Sequence, residues 1–345
     1  MGGRINNEKA MDLDELQERL GPFCADRYRV DTNVFDVVAM PGHAGFAYGF
    51  RVECGAEVES WFIRLPPPNV NWRGTADVLR QVEVLNALDG SDVPHCSVRW
   101  SGGDDDLQWF GCPYFVVPWL EGDVLRIGPG EWGATLSDNQ LHDLGRQAMT
   151  ALARIHRMDP AAAPYLGEPV PFEEDVMRWD RLFERAADPE CLKDAPLVRQ
   201  KLLDKLPSAA TVGIFHGDFQ TANIFCSTTV PRVLAVIDWE LTGIGATLND
   251  VGWMVTFSDP EAWALERGLG PMFLDPETLI DLYREACGEE LPDINWFRAL
   301  AAYKFASITG FNLSLHRRGK RPDPTWEATA KSMTPLIDRA NELLG

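Results

Sequence analysis

Hydrophobic and polar residues alternate along the first third of the chain, a pattern typical of half-buried β-strands. Turns rich in Gly and Pro separate the runs, notably PGHAG at 41–45 and PPP at 66–68. One stretch, 76–90, instead repeats its apolar residues at helical spacing and ends at Gly90, which predicts a helix. The predicted strands are VFDVVAM (34–40), FAYGFRVEC (46–54), SWFIRL (60–65), HCSVRW (95–100) and YFVVPWLEG (114–122).

Beyond Gly122 the pattern becomes helical, with one short strand, VLAVIDWE (233–240), near the middle. The chain is therefore predicted to be α+β, with a sheet-containing lobe at 1–118 and a larger, mainly helical lobe at 119–345. The segment 116–122 is the expected hinge. The predicted helices are 137–159, 172–188, 196–206, 276–286, 295–315 and 324–344.

Composition narrows the class of protein. The 345 residues carry 52 acids against 32 bases, a net charge of −20. This balance argues against nucleic acid as a partner, because phosphate backbones require clustered Lys and Arg. An acidic surface suits a cationic small molecule, and it serves solubility equally well. Seven scattered cysteines without a C-x-x-C pair, no signal peptide and no run of membrane-spanning length predict a cytoplasmic protein. The oligomeric state is left open.

The segment HGDFQTANIF (216–225) carries the candidate chemistry, with His216, Asp218 and Asn223 in the pattern H-x-D-x-x-x-x-N. Asp238 follows in VIDWE. Phosphoryl transfer requires oxygen ligands for a divalent metal and a carboxylate that orients the attacking hydroxyl. Asp218 can accept the hydroxyl proton, and Asn223 and Asp238 can bind Mg²⁺. The alternative is that these residues form only Asx turns and a helix cap.

These motifs resemble the catalytic segment of the aminoglycoside phosphotransferase and choline kinase family, relatives of the protein kinases. The resemblance implies a bilobal protein-kinase-like fold, with a small antiparallel sheet lobe that contains one helix and a larger helical lobe. It also implies Mg²⁺ as cofactor and ATP or GTP as phosphate donor. It makes Asp218 the catalytic base, Asn223 and Asp238 metal ligands, and His216 and Asp250 loop supports. Asp250 could equally be a first-turn helix acid.

The same resemblance suggests a nucleotide site in the first lobe. PGHAG contributes Gly42, His43, Ala44 and Gly45 as a phosphate-covering turn, where glycines admit close backbone approach. Arg64 would pair with the phosphates, as in relatives linked to acyl-CoA dehydrogenases, and Glu83 on the next helix would hold it. Val117 and Trp119 would bond the adenine edge through their backbone. A solvated charge is the alternative for Arg64 and for Glu83.

The acceptor is expected to be a small molecule with a hydroxyl group, and the acidic chain leaves room for a cationic one. Flat side chains and acids of the helical lobe are candidates to line its pocket: Trp179, Trp253, Trp296, Phe297, Glu240, Asp259 and Glu261. Two other interpretations remain: a catalytically silent nucleotide-binding protein of the same fold, and a kinase of a non-antibiotic metabolite such as a hydroxyacyl thioester. A metal-dependent phosphohydrolase is disfavoured, because it would need no nucleotide lobe.

Overall fold

The structure is a computed structural model that describes residues 11–40, 46–67, 72, 74–264 and 273–345. The chain divides into two compact units. The first comprises 1–91, 95–121 and 237–242, and the second comprises 92–94, 122–236 and 243–345. The short insertion 237–242 carries Asp238 into the first unit. The lobe limits of 118 and 119 stay a prediction.

A five-stranded antiparallel sheet forms the centre of the first unit, in the order β1-β2-β3-β5-β4. Its register pairs Arg64 with Ala47 and Phe62 with Val117. The predicted strand at 95–100 is mostly wrong, because ladder pairing begins only at Trp100. The strands are β1 Asn33–Ala39, β2 Phe46–Cys54, β3 Glu57–Leu65, β4 Trp100–Gly102 and β5 Tyr114–Pro118.

Two helices complete the first unit. Helix α1, Leu13–Tyr28, is absent from the sequence prediction; it begins at the N-cap Asp12, whose side chain accepts from the Asp14 N–H. Its Phe23 is fully buried, and its ring meets those of Trp100, Trp109, Phe110 and Tyr114 edge-on. Helix α2, Val78–Leu88, lies where helical spacing predicted it and is capped by Asp77. Burying aromatic surface of this size is what stabilises such a small sheet layer.

Two small antiparallel sheets lie in the second unit. One has the order β6-β8-β9, and the other pairs β7 with β10, so that Phe215 lies opposite Gly243. Together they hold the ends of the segment 216–223. The strands are β6 Asp123–Val124, β7 Val212–Phe215, β8 Ile224–Ser227, β9 Arg232–Val236 and β10 Gly243–Ala246.

Helices make up the rest of the second unit. Helix α3 has a capping box between Ser137 and Gln140. The predicted helix 172–188 is instead α4 and α5, and 324–344 is α10 and α11, so both long predictions miss a break. The helices are α3 Asp138–His156, α4 Phe172–Met177, α5 Asp180–Phe183, α6 Ala195–Asp204, α7 Leu248–Phe257, α8 Pro276–Cys287, α9 Ile294–Arg317, α10 Thr325–Thr329 and α11 Met333–Leu344.

Helices α7 and α9 approach each other closely at Gly252. A Cβ atom added there would lie 2.5 Å from the Phe297 carbonyl oxygen, so only glycine permits the contact. The approach brings the next residue on α7, Trp253, against Lys304 and Phe305 of α9. In the described ranges, no helix is long and apolar enough to cross a bilayer.

Candidate active site

The segment 216–223 is a tight loop between β7 and the short 3₁₀ helix Thr221–Asn223. Gly217 adopts φ +87°, a left-handed conformation that glycine takes without strain. The Asp218 N–H donates to His216 Nδ1 at 3.3 Å. His216 is fully buried, and its ring packs edge-on against Phe219. The histidine is therefore enclosed within the loop, and its role as a loop support stays a prediction.

Asp250, near the start of α7, anchors the loop backbone. Its Oδ2 accepts from the His216 N–H at 2.6 Å, and its Oδ1 accepts from the Gly217 N–H at 2.7 Å. His156 on α3 adds a third contact, with Nε2 3.1 Å from Oδ2, and its Nδ1 lies 2.7 Å from the Tyr283 hydroxyl. Asp250 is completely buried, so it is a structural anchor rather than an exposed first-turn acid.

Burial alone would raise the pKa of Asp250. The hydrogen bond and charge of His156, the charge of His216 and the His216 backbone N–H outweigh it, and they hold the pKa below its ordinary value. The carboxylate thus stays ionised and binds the loop through charge-assisted hydrogen bonds, which are stronger than neutral ones.

Asp218 has a donor on each carboxylate oxygen. Trp253 Nε1 donates to Oδ1 at 2.7 Å, and Asn223 Nδ2 donates to Oδ2 at 2.9 Å. Gln220 Nε2 adds a further bond to Oδ1 at 2.9 Å. The Asn223 Nδ2 also donates to the Asp218 carbonyl at 2.8 Å, so the amide nitrogen is turned toward Asp218 and its Oδ1 faces away. The orientation of the carboxylate is fixed from several sides.

The pKa of Asp218 is raised by burial, the largest influence. The Trp253 hydrogen bond, the charge of His216, the Gln220 hydrogen bond and the charge of Lys304 act in the opposite direction. A carboxylate with a raised pKa is a stronger proton acceptor than an exposed one.

Lys304 of α9 reaches the same loop. Its Nζ donates to the Gly217 carbonyl at 3.2 Å and lies 4.0 Å from the centre of a Trp253 ring and 5.1 Å from that of Trp179. A small cavity of about 20 Å³, with room for about one water, lies beside Lys304, Gly217 and Asp250. Lys304 therefore places its ammonium group at the carbonyl of Gly217, the residue that precedes Asp218.

In the first unit, the segment 237–242 places two acids at Arg64. Arg64 Nη2 lies 3.1 Å from Glu240 Oε2 and 3.5 Å from Asp238 Oδ1. Asp238 has a left-handed backbone, φ +64°, and its Oδ1 is buried without a hydrogen-bond partner in the described chain. Strain and an unsatisfied buried oxygen in one residue are typical of a functional site.

The predicted pairing of Arg64 with Glu83 is not made among the described residues. The turn Trp239–Leu241 packs against α2, and Arg80 Nε of that helix donates to the Thr242 carbonyl at 2.7 Å. This packing brings Glu240, rather than Glu83, to Arg64. The involvement of Glu83 in nucleotide binding stays a prediction.

The predicted adenine-binding residues lie at the end of β5. The Trp119 N–H donates to the Ser60 carbonyl at 3.0 Å, so this donor is already used inside the sheet. The Trp119 ring covers Gly49 of β2, where an added Cβ would lie 2.7 Å from it. Val117 lies opposite Phe62 in the ladder between β3 and β5. Val117 and Trp119 both stay predicted nucleotide contacts. The predicted turn Gly42, His43, Ala44 and Gly45 lies outside the described residues.

The acids proposed for a cationic acceptor already have arginine partners. Arg298 Nη2 and Arg339 Nε lie 3.0 and 2.9 Å from Asp259 Oδ2, and Glu261 contacts Arg339 at 2.8 Å. Trp296 is buried, with Nε1 bonded to the Leu202 carbonyl at 3.0 Å, and Phe297 is buried as well. Of the candidate residues for the pocket, Trp179 and Trp253 are the ones that surround Lys304.

The phosphotransferase enzyme family model matches residues 47–278, a span that contains both the loop and Asp238. The chain belongs to the phosphotransferase enzyme family. The predicted resemblance is thereby confirmed. Two curated relatives are acyl-CoA dehydrogenase family member 11 of Gallus gallus, 26% identical over 83% of this chain, and the probable acyl-CoA dehydrogenase IBR3 of Arabidopsis thaliana, 23% identical over 77%. The aligned regions are 38% and 34% of those proteins, so the chain spans a little over a third of their length.

Solved structures of the same fold include a candidate aminoglycoside phosphotransferase from Ralstonia eutropha JMP134, with TM-score 0.76, 20% identity, and 95% and 97% of the two chains covered. Plasmodium vivax ethanolamine kinase gives a TM-score of 0.59 at 11% identity, with 97% of this chain and 92% of that chain covered. At these identities the likeness shows the fold alone. The predicted α+β, protein-kinase-like fold class is confirmed.

Sequence reasoning missed three residues that surround the loop of this family member: His156, Tyr283 and Lys304. His156 lies on α3, Tyr283 on α8 and Lys304 on α9. Only a weak indication of Lys304 as a site residue is present in the sequence. After Arg298, it is the one charged residue of the predicted helix 295–315.

Proposed function

We propose that the chain is a kinase that transfers the γ-phosphoryl group of ATP or GTP to a hydroxyl group of a small molecule. The proposal rests mainly on Asp218. Its carboxylate is oriented by Trp253 and Asn223, and its pKa is raised. In the reaction, Asp218 accepts the proton of the hydroxyl, whose oxygen attacks the γ-phosphorus. The bond from that phosphorus to the β-phosphate oxygen breaks, and a phosphate monoester and the nucleoside diphosphate leave.

The donor set fits magnesium. Asp238 Oδ1 is buried, accepts no hydrogen bond among the described residues and lies 3.5 Å from Arg64 Nη2. The Asn223 amide directs its nitrogen at Asp218, so its oxygen faces away from Asp218. Mg²⁺ prefers hard oxygen ligands and takes the rest of its shell from phosphates and water. Among the described residues, no group of three or more His, Cys, Asp or Glu side chains is suited to a metal. Mg²⁺ would supply charge neutralisation on the phosphates. Asn223 and Asp238 stay the predicted ligands.

Arg64 is the proposed phosphate contact of the first unit. Its guanidinium is mostly buried and is held by Glu240, so it is preorganised rather than a solvated strand charge. A planar guanidinium can bond two phosphate oxygens at once, where lysine provides a point charge.

The acceptor is a hydroxylated small molecule, and a substrate screen would identify it. A hydroxyacyl thioester is a candidate because the matching regions of the curated relatives belong to proteins named acyl-CoA dehydrogenases. A silent nucleotide-binding protein remains the alternative function. The cytoplasmic location also stays a prediction.

The test is a screen of hydroxylated amines, acids, sugars and antibiotics for consumption of ATP, followed by mass spectrometry of the product. The variant Asp218→Asn keeps the shape of the side chain but removes the proton acceptor, so kcat should fall by about 10²–10⁴-fold while nucleotide affinity persists. Asp275→Asn, at an exposed helix cap, is the matched control and should act as the wild type. An Asp218→Asn variant that keeps most of its kcat would remove Asp218 as the base.

A further inference from the structure

Lys304 occupies the place between two tryptophans where a cationic ligand would bind. Its Nζ lies 4.0 Å from the centre of a Trp253 ring and 5.1 Å from that of Trp179. Aromatic faces in this arrangement attract cations, and such cages bind quaternary ammonium ligands. In this protein the Lys304 ammonium already lies between the faces of Trp179 and Trp253. A cationic ligand at the same place would be repelled by its charge.

The donors around Lys304 are not all used. An ammonium has three N–H donors, and the single hydrogen bond of Lys304 within the described chain goes to the Gly217 carbonyl. Trp179 Nε1 is buried and has no hydrogen-bond partner among the described residues. Unmet donors next to a desolvated positive charge are costly. An anion beside Lys304 would accept hydrogen bonds from its unused N–H donors.

Positive and negative side chains both lie near Lys304: the charge of Arg178 acts with burial to lower its pKa, and the charges of Asp175, Asp218 and Asp250 act against it. Arg178 lies over the same Trp179 ring, 4.8 Å from its centre, and its Nη2 is 2.8 Å from Asp175 Oδ1. The other oxygen of Asp175 accepts from Asn249 Nδ2 at 2.6 Å. The acid nearest to Arg178 is therefore already bonded on both oxygens.

We propose that Lys304 and Trp179 form an anion-binding subsite beside Asp218, which takes a carboxylate or phosphate group of the acceptor. The inference rests on the proposed function, since it assigns the subsite to the molecule whose hydroxyl reaches Asp218. It replaces the expectation of a cationic acceptor with an anionic one. The Lys304 contact with Gly217, the residue before Asp218, keeps the anion close to the reacting hydroxyl.

Binding can be tested without chemistry, by calorimetric titration of the full chain in the absence of nucleotide and magnesium. The probes are 3-hydroxybutyrate, glycerol 3-phosphate, the neutral 3-hydroxybutyramide and choline. We expect an anion to bind about tenfold or more tightly than the amide or choline, because charge-assisted hydrogen bonds exceed neutral ones. The two anions separate a carboxylate site from a phosphate site. Equal binding of the amide, tighter binding of choline, or binding of neither anion would overturn the inference.

Substitutions test whether Lys304 and Trp179 cause the preference for an anion. Lys304→Met should lower anion affinity to that of the amide, Lys304→Arg should keep the anion preference, and Trp179→Phe should weaken anion binding while it retains the ring. Lys201→Met is the control, because Lys201 also donates to a backbone carbonyl, that of Gly345 at 3.2 Å, but lies outside this cluster. If Lys304→Met does not fold, Trp179→Phe still decides the question. Wild-type anion affinity in both Lys304→Met and Trp179→Phe would contradict the subsite.

The pH dependence of anion binding gives a second test of Lys304. Burial, followed by the charge of Arg178, lowers the pKa of Lys304 to about 8, against the opposing charges of Asp175, Asp218 and Asp250. The preference for anion over amide should therefore fade as the pH rises through about 8, where Lys304 loses its proton. Lys304→Arg should keep the preference there, because arginine stays charged. A preference that is constant across this range in the wild type would refute the role of Lys304.

Steady-state kinetics separates failure of this inference from failure of the proposed function. Phosphorylation of choline or the amide, with no advantage for the anions, would leave the kinase intact and remove the subsite. Anion binding that depends on Lys304, without phosphorylation of any hydroxyl compound, would keep the subsite and remove the kinase. A higher nucleotide KM in Lys304→Met, with unchanged anion affinity, would move Lys304 to the donor phosphates and also overturn the inference.

Discussion

The substitution Asp250→Asn tests whether the buried carboxylate holds the catalytic loop. It keeps the size of the side chain but replaces one acceptor oxygen by an NH₂ group. The wild-type carboxylate accepts from the His216 N–H, the Gly217 N–H and His156 Nε2. Whichever way the amide is oriented, one backbone N–H of the loop then faces another donor.

The cost can be estimated from these contacts. His156 can adapt by exchanging its tautomer, because its Nδ1 faces the Tyr283 hydroxyl, which can either donate or accept. The backbone N–H of His216 or Gly217 cannot adapt. A buried unsatisfied donor costs about 1–3 kcal/mol, and replacing charged by neutral acceptors costs about 1 kcal/mol more. We therefore expect the free energy of unfolding to fall by about 2–4 kcal/mol.

Urea unfolding and native-state hydrogen exchange measure this loss. Exchange at the amides of His216 and Gly217 should accelerate more than exchange in the strands of the first unit, because the defect is local. The matched control is again Asp275→Asn, an exposed cap where asparagine serves almost as well as aspartate. Its free energy of unfolding should stay within about 0.5 kcal/mol of the wild type.

The pH dependence has a defined sign. The folded-state pKa of Asp250 is depressed, so its contribution to stability is present above the unfolded pKa of about 4 and is lost as the pH falls through the folded pKa. The stability difference between wild type and Asp250→Asn should hence shrink below about pH 4. A variant within about 1 kcal/mol of the wild type at neutral pH, with unchanged exchange at the loop amides, would refute the anchoring role.

Three further substitutions probe the first unit. Gly49→Ala puts a Cβ atom 2.7 Å from the Trp119 ring, so stability should fall by about 1–3 kcal/mol and nucleotide KM should rise, while Gly21→Ala, with nothing within 4 Å, should do neither. Asp238→Asn should raise the magnesium concentration for half-maximal activity about tenfold or more, and an unchanged requirement would remove it from the metal site. Arg64→Ala should raise nucleotide KM in kinetic assays; an unaltered KM would favour a structural role.

The sequence predicted the part of the site that is local in the chain. Asp218 and Asn223 are five positions apart in one short loop, and Asn223 Nδ2 donates to Asp218 Oδ2 at 2.9 Å. Four of the five strands of the first sheet were also predictable, because alternation is a nearest-neighbour property; the exception is β4, which begins only at Trp100. Helix α1 was missed although its buried residues Leu16, Leu20, Phe23 and Cys24 recur at helical spacing after the N-cap Asp12.

Contacts between distant segments set the rest of the site, and no local pattern encodes them. Glu240, rather than Glu83, reaches Arg64 because the segment 237–242 packs into the first unit. The breaks within the two long predicted helices, at 178–179 and 330–332, leave the hydrophobic period intact, so spacing alone could not reveal them.

Lys304 shows how such distant contacts change the inference about substrate. From the sequence, tryptophans and acids of the helical lobe were candidates to line the acceptor pocket, and the negative net charge left room for a cationic acceptor. In the structure, the tryptophan faces are already in contact with a lysine, and the nominated acids Asp259 and Glu240 are bonded to arginines. Overall charge describes the field far from the surface, whereas a ligand that has entered the site meets only the groups within a few ångströms. Near Asp218, Lys304 and Trp179 have N–H donors without a partner among the described residues, and we expect a negative group of the acceptor molecule to accept from them.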